Sequence, residues 1–242
     1  MGKASATLQK ARPARREDFR VDRRLPAAEQ VYRALRAAII ACRLEPNEAI
    51  SENRLCGMFH VSRSPVRTAI TRLAEDGLID IFPQRGTFVS PIKLKQVREA
   101  QFARQALEVA LISEAARRWK DDDSRAIKAN LALQVQHAKA GQSWEFYLDN
   151  EDFHLIIARA AELEGVWETV QSVKTLWDRI GHIANRVPAH MATIVEEHRK
   201  IVKALEKRDS KAAADAMQVH MHSVDHAIAR LRPLHADYFV DE

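Results

Sequence analysis

Long apolar runs are missing from this chain: nothing in its 242 residues approaches the ~20 consecutive apolar positions that cross a bilayer. The first residues also lack the apolar core of a secretory signal, so the expectation is a cytoplasmic protein with no membrane association. Cysteine is scarce. Cys42 and Cys56 are the only two, which excludes a disulfide framework and a cysteine-rich zinc module and leaves both as small side chains in a reducing compartment. Chain-breaking residues also thin out. Pro26, Pro46, Pro65, Pro83 and Pro91 crowd the stretch before residue 93, whereas between Lys93 and Arg232 only Pro188, Gly141, Gly165 and Gly181 interrupt the chain. The later stretch therefore reads as a set of long helices.

With 46% hydrophobic residues, the chain can bury a sizeable core and is long enough for two domains. Its charge is unevenly spread. The first 93 residues hold 17 Lys/Arg against 10 Asp/Glu, and the remainder holds 21 against 23. A basic front joined to a slightly acidic back suits a front that meets a polyanion, although on charge alone a solubilising surface explains it equally well. Residues 1–24 show no apolar periodicity and read as a basic disordered arm. The expected organisation is that arm, a domain over residues 25–93, and an all-helical domain over residues 94–242.

Within the front domain, Val31, Leu35, Ala38 and Ile39 recur at helical spacing, predicting a helix from about Ala27 to Cys42. The stretch LEPNEAI makes a turn in which Asn47 takes the left-handed conformation. Ser51 caps a short second helix to about Phe59, with Leu55 and Met58 facing inward. A third helix starts with Ser64 as cap and Pro65 at the first helical position, or a turn earlier at Ser62. Its Val66, Ala69, Ile70 and Leu73 form the buried stripe, which turns Arg67, Thr68, Thr71 and Arg72 outward. Gly77 ends it, and LIDIF and TFVS flank PQRG as a two-stranded hairpin. Three helices and a hairpin make a winged helix-turn-helix, whose third helix enters the DNA major groove while the wing tip lies along an adjacent groove.

These residues resemble a known family. The segments SR-x-PVR-x-A from Ser62, RL-x-x-x-GL from Arg72 and RG-x-FV from Arg85 match the DNA-binding domain of GntR-type bacterial transcription regulators. Asn47 stands where that family usually has Gly, and Thr68 where it often has Glu. The resemblance implies DNA contacts from Ser62, Arg63, Ser64 and Arg67 on the third helix and from Arg85 and Gly86 on the wing. The back half is similar to the all-helical FCD effector domain of the FadR-type subfamily, through RQALE from Arg104, NEDFHLII from Asn150, EHRKIVKAL from Glu197 and AMQVHM from Ala216.

Asn150 and His154 are four apart and share one helix face, while His198 and His220 fall on two later helices. Facing helices of bundles build metal sites from such side chains. In many FCD proteins an acidic residue at the position of Asn150 joins three histidines around a divalent metal. The resemblance thus implies a site of Asn150, His154, His198 and His220 for zinc or nickel, weaker than an Asp version because an amide oxygen brings no charge. Asp149 and Asp152 point away from that face. Arg104 either reaches into the same pocket to pair with a carboxylate ligand or pairs with Glu108 one turn away. Trp144, Phe153 and Trp177 belong to core or pocket wall. His182, His190, His222 and His226 read as surface or satisfied core residues.

The expected protein is mainly α, a winged helix-turn-helix followed by a helical-bundle effector domain. It is no enzyme. It is expected to be a homodimeric repressor of a palindromic DNA operator, released by a small organic acid in a metal-assisted pocket. One alternative is a metal-free pocket for a larger ligand such as an acyl-CoA. A metalloenzyme is more distant, since no general base accompanies the histidines.

Overall fold

The computed structural model describes residues 21–22 and 24–241. The expected arm over residues 1–24 therefore lies, apart from Val21, Asp22 and Arg24, outside the described residues.

Helix α1 (Ala27–Ile40) buries Val31, Leu35, Ile39 and Ile40 and stops two residues before the expected Cys42. In the turn that follows, Asn47 is left-handed at φ 68°, as its side chain allows. Two residues of that stretch form a strand, β1 (Ala49–Ile50), which sequence pattern did not predict. Ser51 caps α2 (Glu52–Phe59) by accepting the Arg54 amide at 3.3 Å. The inward stripe of α2 is Leu55 and Phe59, and Met58 is 38% exposed, contrary to expectation. An eight-residue helix has room for only one i, i+4 pair against its neighbours.

Helix α3 (Arg63–Glu75) begins at the earlier of the two expected positions, with Ser62 at the N-cap. Pro65 sits in the first turn, where amides lack helical partners anyway. Val66, Ala69, Ile70 and Leu73 are all buried. Gly77, at φ 71°, closes the helix: its amide donates to Ala74 O and the Leu78 amide to Leu73 O at 2.9 Å. Strands β2 (Ile79–Phe82) and β3 (Gly86–Val89) pair antiparallel, and β1 adds to the far side of β3 in the order β1-β3-β2. Their inner faces and the three helices share one core.

A short strand, β4 (Ile92–Lys93), leads into the bundle. The bundle comprises α4 (Leu94–Arg118), α5 (Asp121–Ala140), α6 (Ser143–Ala160), α7 (Glu164–Asn185), α8 (Pro188–Glu206) and α9 (Ser210–Leu231). Three of the four breakers fall at its joints, with left-handed Gly141 ending α5, Gly165 in the first turn of α7 and Pro188 opening α8, whereas Gly181 lies inside α7. Helix α4 packs on α9, α7 and α6, and α5 packs on α6 and α8. The mainly helical fold class is as expected. Among the described residues no helix is long and apolar enough to cross a membrane.

Helix α7 carries most of the contact between the winged part and the bundle. Arg36 of α1 donates to Asp178 Oδ2 at 3.0 Å and Thr175 Oγ1 at 2.9 Å. Lys174, fully buried, pairs with Asp178 and with Glu151 of α6. Arg186 donates to Ala41 O at 2.7 Å, and Arg179 to the linker carbonyls of Ser90 and Pro91. After α9 the chain returns as β5 (Phe239–Val240) and pairs parallel with β4. A separate apolar cluster gathers Cys42, Ile92, Leu94, Ile180, Ile183 and Phe239 at this junction.

Gly77 is the turn on which the wing hangs, and an added Cβ would meet Leu176 Cδ2 of α7 at 3.0 Å. Gly77→Ala should lower stability by about 1–2 kcal/mol, the cost of a left-handed side-chain-bearing residue. Urea unfolding measures this, and an unchanged midpoint would show that the turn relaxes without strain.

Candidate functional site

The outer face of α3 forms a shallow groove lined by Arg63, Ser64, Arg67, Thr68, Thr71 and Arg72. The buried stripe forces this arrangement, because it leaves only the opposite helix face for charge. Ser62, Arg63, Ser64 and Arg67 are all exposed. Arg67 Nε donates to Glu52 Oε2 at 2.9 Å and Arg63 to Asn53 Oδ1 at 3.1 Å, both on α2. Arg72 is tied down differently, with Glu29 at 2.5 Å and its guanidinium carbon 4.0 Å from the Tyr32 ring centroid. It braces α3 against α1. Arg85 and Gly86 lie exposed at the tip of the β2–β3 hairpin, where Gln84 and Gly86 take positive φ and the Arg85 guanidinium approaches the Phe82 ring.

In the bundle, His154 of α6, His198 of α8 and His220 of α9 converge. One ring nitrogen from each lies within 4.8 Å of the others, and all three residues are buried. Sequence spacing reveals neither the convergence nor its cause, which is a set of partners behind the rings. His198 Nδ1 faces Gln134 Oε1 at 2.7 Å, and His220 Nδ1 faces Glu197 Oε2 at 2.8 Å. His154 Nδ1 is in ion-pair contact with Glu108. Gln134 in turn donates to Asn130, whose amide donates to Asp149 O, and this chain fixes which end of the Gln134 amide meets the ring. With their Nδ1 atoms turned to Gln134 and Glu197, His198 and His220 turn their Nε2 atoms toward each other. Phe153 stacks on His198 with ring centroids 3.8 Å apart, and Trp167 lies parallel to His154 at 6.0 Å, holding the rings from behind.

Burial acts on two of these rings: it pushes His154 down to about 4 against the opposing pull of Glu108, and it holds His198 well below the usual imidazole range. His198 Nε2 and His220 Nε2 face each other at 3.4 Å, a contact that a ring proton fills in the absence of metal and that a cation can take over. Oriented imidazoles backed by carboxylates are the arrangement that metal sites use, so the residues present fit a divalent ion.

Arg104 pairs with Glu108 and also reaches the pocket. Its Nε donates to Glu108 Oε1 at 2.5 Å, and its NH2 makes a long contact of 3.5 Å with His154 Nε2. Burial alone would raise the Glu108 carboxyl, but the Arg104 charge, helped by His154, outweighs it and holds Glu108 well below the carboxylate range. Arg104 also lines a cavity of about 20 Å³, together with Gln101, Asn150, Trp177, His190 and His220. That is room for one water or an ion. Asn150 and His220 both line the cavity, whereas His154 and His198 do not.

Other expectations sort themselves by contact. Phe153 is core, Trp177 is pocket wall, and Trp144 stands behind the wall, stacked on the cavity-lining Tyr147. Asp149 pairs with His137, and Asp152 is exposed. His222 and His226 are exposed and His182 is buried, but His190 is more than a bystander, since it lines the cavity and burial lowers it to about 4. Gln134 and Glu197 escaped sequence reasoning altogether.

Comparison with known proteins covers both regions. A model described as bacterial regulatory proteins, gntR family, matches residues 27–89, and one described as FCD domain matches residues 99–223. A relative in Escherichia coli (strain K12) named HTH-type transcriptional repressor RspR is 33% identical over 217 residues, 90% of this chain and 95% of that one. A Paenarthrobacter nicotinovorans relative named probable D-xylose utilization operon transcriptional repressor is 26% identical, covering 82% of this chain and 87% of its own. Among solved structures, Escherichia coli McbR/YncC superposes with a TM-score of 0.75 at 18% identity, over 86% of this chain and 99% of that one. A putative GntR transcriptional regulator from Rhodococcus gives 0.71 at 21%, over 84% and 97%. At those identities the structures share the fold.

Glu108 holds two groups at once, the Arg104 charge and the His154 ring. Glu108→Ala should cost about 3–5 kcal/mol of unfolding free energy, because it strands a buried guanidinium. Chemical denaturation decides it. A loss of only about 0–1 kcal/mol, the value of an exposed pair, would mean that Arg104 finds another carboxylate.

Proposed function

This chain belongs to the gntR family of bacterial regulatory proteins and carries an FCD domain, and from that premise we propose a metal-assisted, acid-responsive repressor. It is a transcription regulator, not an enzyme, and relatives of it are named repressors. In our reading residues 25–93 are the DNA-binding domain and residues 94–242 the effector and dimerisation domain. The protein works in the cytoplasm as a homodimer on a palindromic operator, because a two-fold pair of winged domains reads a two-fold site.

On the DNA side, Ser62, Arg63, Ser64 and Arg67 meet base edges and phosphates, and Arg85 and Gly86 follow the neighbouring groove. Arginine suits this role through its rigid fork of donors, while Ser and Gly let the backbone come close. On the effector side, the observation that carries the reading is the convergence of three buried imidazoles, with one ring nitrogen from each within 4.8 Å of the others. His154, His198 and His220, with the Asn150 amide oxygen, would hold zinc or nickel. Such an ion supplies a positive centre beside Arg104 that attracts a small carboxylate. The cavity wall mixes the apolar Trp177, Ile194 and Met221 with Gln101, Asn150, Asn185, His190 and His220, and the Arg104 charge among them together with the small volume supports a small acid over an acyl-CoA chain. Repression is relieved when the ligand binds one arrangement of the dimer more tightly than the other.

Two experiments test the two halves. Arg67→Ala should weaken operator binding by about 1–3 kcal/mol and flatten the dependence on salt, since one fewer phosphate counterion is released. Fluorescence anisotropy across a salt series reads both, and unchanged affinity at moderate salt removes Arg67 from the interface. For the pocket, chelator-stripped protein is titrated with zinc and with nickel by calorimetry. Asn150→Asp should tighten binding by adding a charge to the ligand set, and His198→Ala should abolish most of it. If wild type takes up no stoichiometric metal and Asn150→Asp binds no tighter, the metal reading is wrong and the pocket acts through Arg104 and the histidines alone.

A further inference from the structure

Trp177 belongs to two regions at once. It lines the cavity with its ring over Arg104, whose guanidinium carbon is 4.6 Å from the ring centroid. The same ring packs against the junction cluster that contains Cys42 of the winged part, Ile92 of the linker and Leu94 of α4. Its indole N–H is buried without a hydrogen-bond partner, so polar contacts do not hold the ring where it is. Its place exists because residue 181, one turn later, is glycine: a Cβ there would lie 2.5 Å from Cζ3 and 2.6 Å from Cη2 of the ring.

The residue two positions on from Trp177 reaches the linker. Arg179 is buried, and its guanidinium donates to Ser90 O at 2.5 Å and to Pro91 O at 3.3 Å. No carboxylate neutralises it within ion-pair distance among the described residues, and burial brings it down to about 10. A cation held only by backbone carbonyls ties α7 to the linker more loosely than a full ion pair would. At 100° per helical residue, Trp177 and Arg179 face opposite sides of α7, so a roll of the helix moves both.

We propose that Trp177 is a lid on the pocket, lifted from Arg104 by an incoming small anion, and that α7 transmits the movement to the linker through Arg179 and the shared apolar cluster. This rests on the reading of the pocket as the effector site. A cavity of about 20 Å³ holds no organic acid, and the Trp177 ring is the part of the wall that an anion competing for Arg104 has to displace. The ring's orphan N–H then becomes available to an acceptor on the ligand.

Gly181→Ala imitates the lifted lid without any ligand, because the new methyl group expels the ring. The test uses the full chain and compares wild type, Gly181→Ala, Trp177→Ala and the double variant by hydrogen exchange, with tryptophan emission as a check on the ring. Exchange in the linker peptide spanning Val89 to Leu94, whose Ser90 amide is bonded to Leu78 O in the intact protein, should rise several-fold in Gly181→Ala. It should rise no further when Gly181→Ala is added to Trp177→Ala, where no ring remains to expel. Linker exchange equal to wild type despite shifted emission overturns the proposal, as does an equal increment in the Trp177→Ala background. If Gly181→Ala does not fold, Arg179→Met decides the transmission: faster exchange of the same peptide with unshifted emission supports it, and unchanged exchange overturns it. No metal, effector or operator enters these measurements, so their failure leaves the reading of the pocket standing, and failure of the metal titration leaves these results standing.

Discussion

Asp178 has no exposed side-chain surface, so its charge has to be met from inside the protein. Three groups meet it: Arg36 from α1, Lys174 one turn earlier on α7, and the Tyr147 hydroxyl of α6, which is hydrogen-bonded to it. Lys174, itself fully buried, needs a second anion and finds Glu151 on α6. Removing Asp178 would leave buried cations short of their shared anion, so the set holds as a unit. Its consequence is geometric. With Asp178 held toward α1, the resting orientation of α7 is set, and the residues on either side of it are dealt to different neighbours: Trp177 to the cavity and Arg179 to the linker. The winged part is thereby held by the helix that walls the pocket.

The same economy of buried charge shapes the histidine cluster. A buried imidazole is neutral because water is unavailable to solvate its cation, and a neutral ring has one donor and one acceptor. Turning Nδ1 to Glu108, Gln134 or Glu197 leaves Nε2 to point inward in each case. Two of the three Nδ1 partners are carboxylates, and one of these, Glu108, is already balanced by Arg104. The inner face of the cluster is therefore lined by ring nitrogens while the cavity beside it carries a fixed positive charge. A cation suits the first and an anion the second.

How much of this could be read from the chain depends on whether the determinants are local. The stripe Val66, Ala69, Ile70, Leu73 and the stop at Gly77 are set by residues within a few positions of one another, and the structure has them as the pattern required. Strand β1 was invisible because two residues have no periodicity. Ala49 and Ile50 become a strand only by pairing with Phe88 and Thr87, nearly forty positions away. Met58 was misplaced because a two-turn helix carries too few positions to define a face. In the pocket, resemblance supplied the three histidines, but Gln134 and Glu197 act across helices, and spacing within one helix says nothing about what faces it from another. His190 was set aside as one histidine among ten. Only the folded bundle shows that it stands on the cavity wall.

The arginines of the α3 groove are partnered before any DNA arrives. Arg67 rests on Glu52, and Arg63 on Asn53. An exposed ion pair such as Arg67–Glu52 is worth about 0–1 kcal/mol, so exchanging the glutamate for a phosphate costs little. The exchange also has a gain that the internal pair lacks, because a neutralised phosphate releases its condensed counterion. Meanwhile the internal partners hold two long side chains near their working positions, which lowers the ordering cost of binding. In the proposed complex Glu52 would add discrimination: its displaced carboxylate would be compensated only where Arg67 engages a phosphate or base. Under the proposed DNA contacts, the pairs that look like competition would therefore favour the registers in which both arginines are fully used.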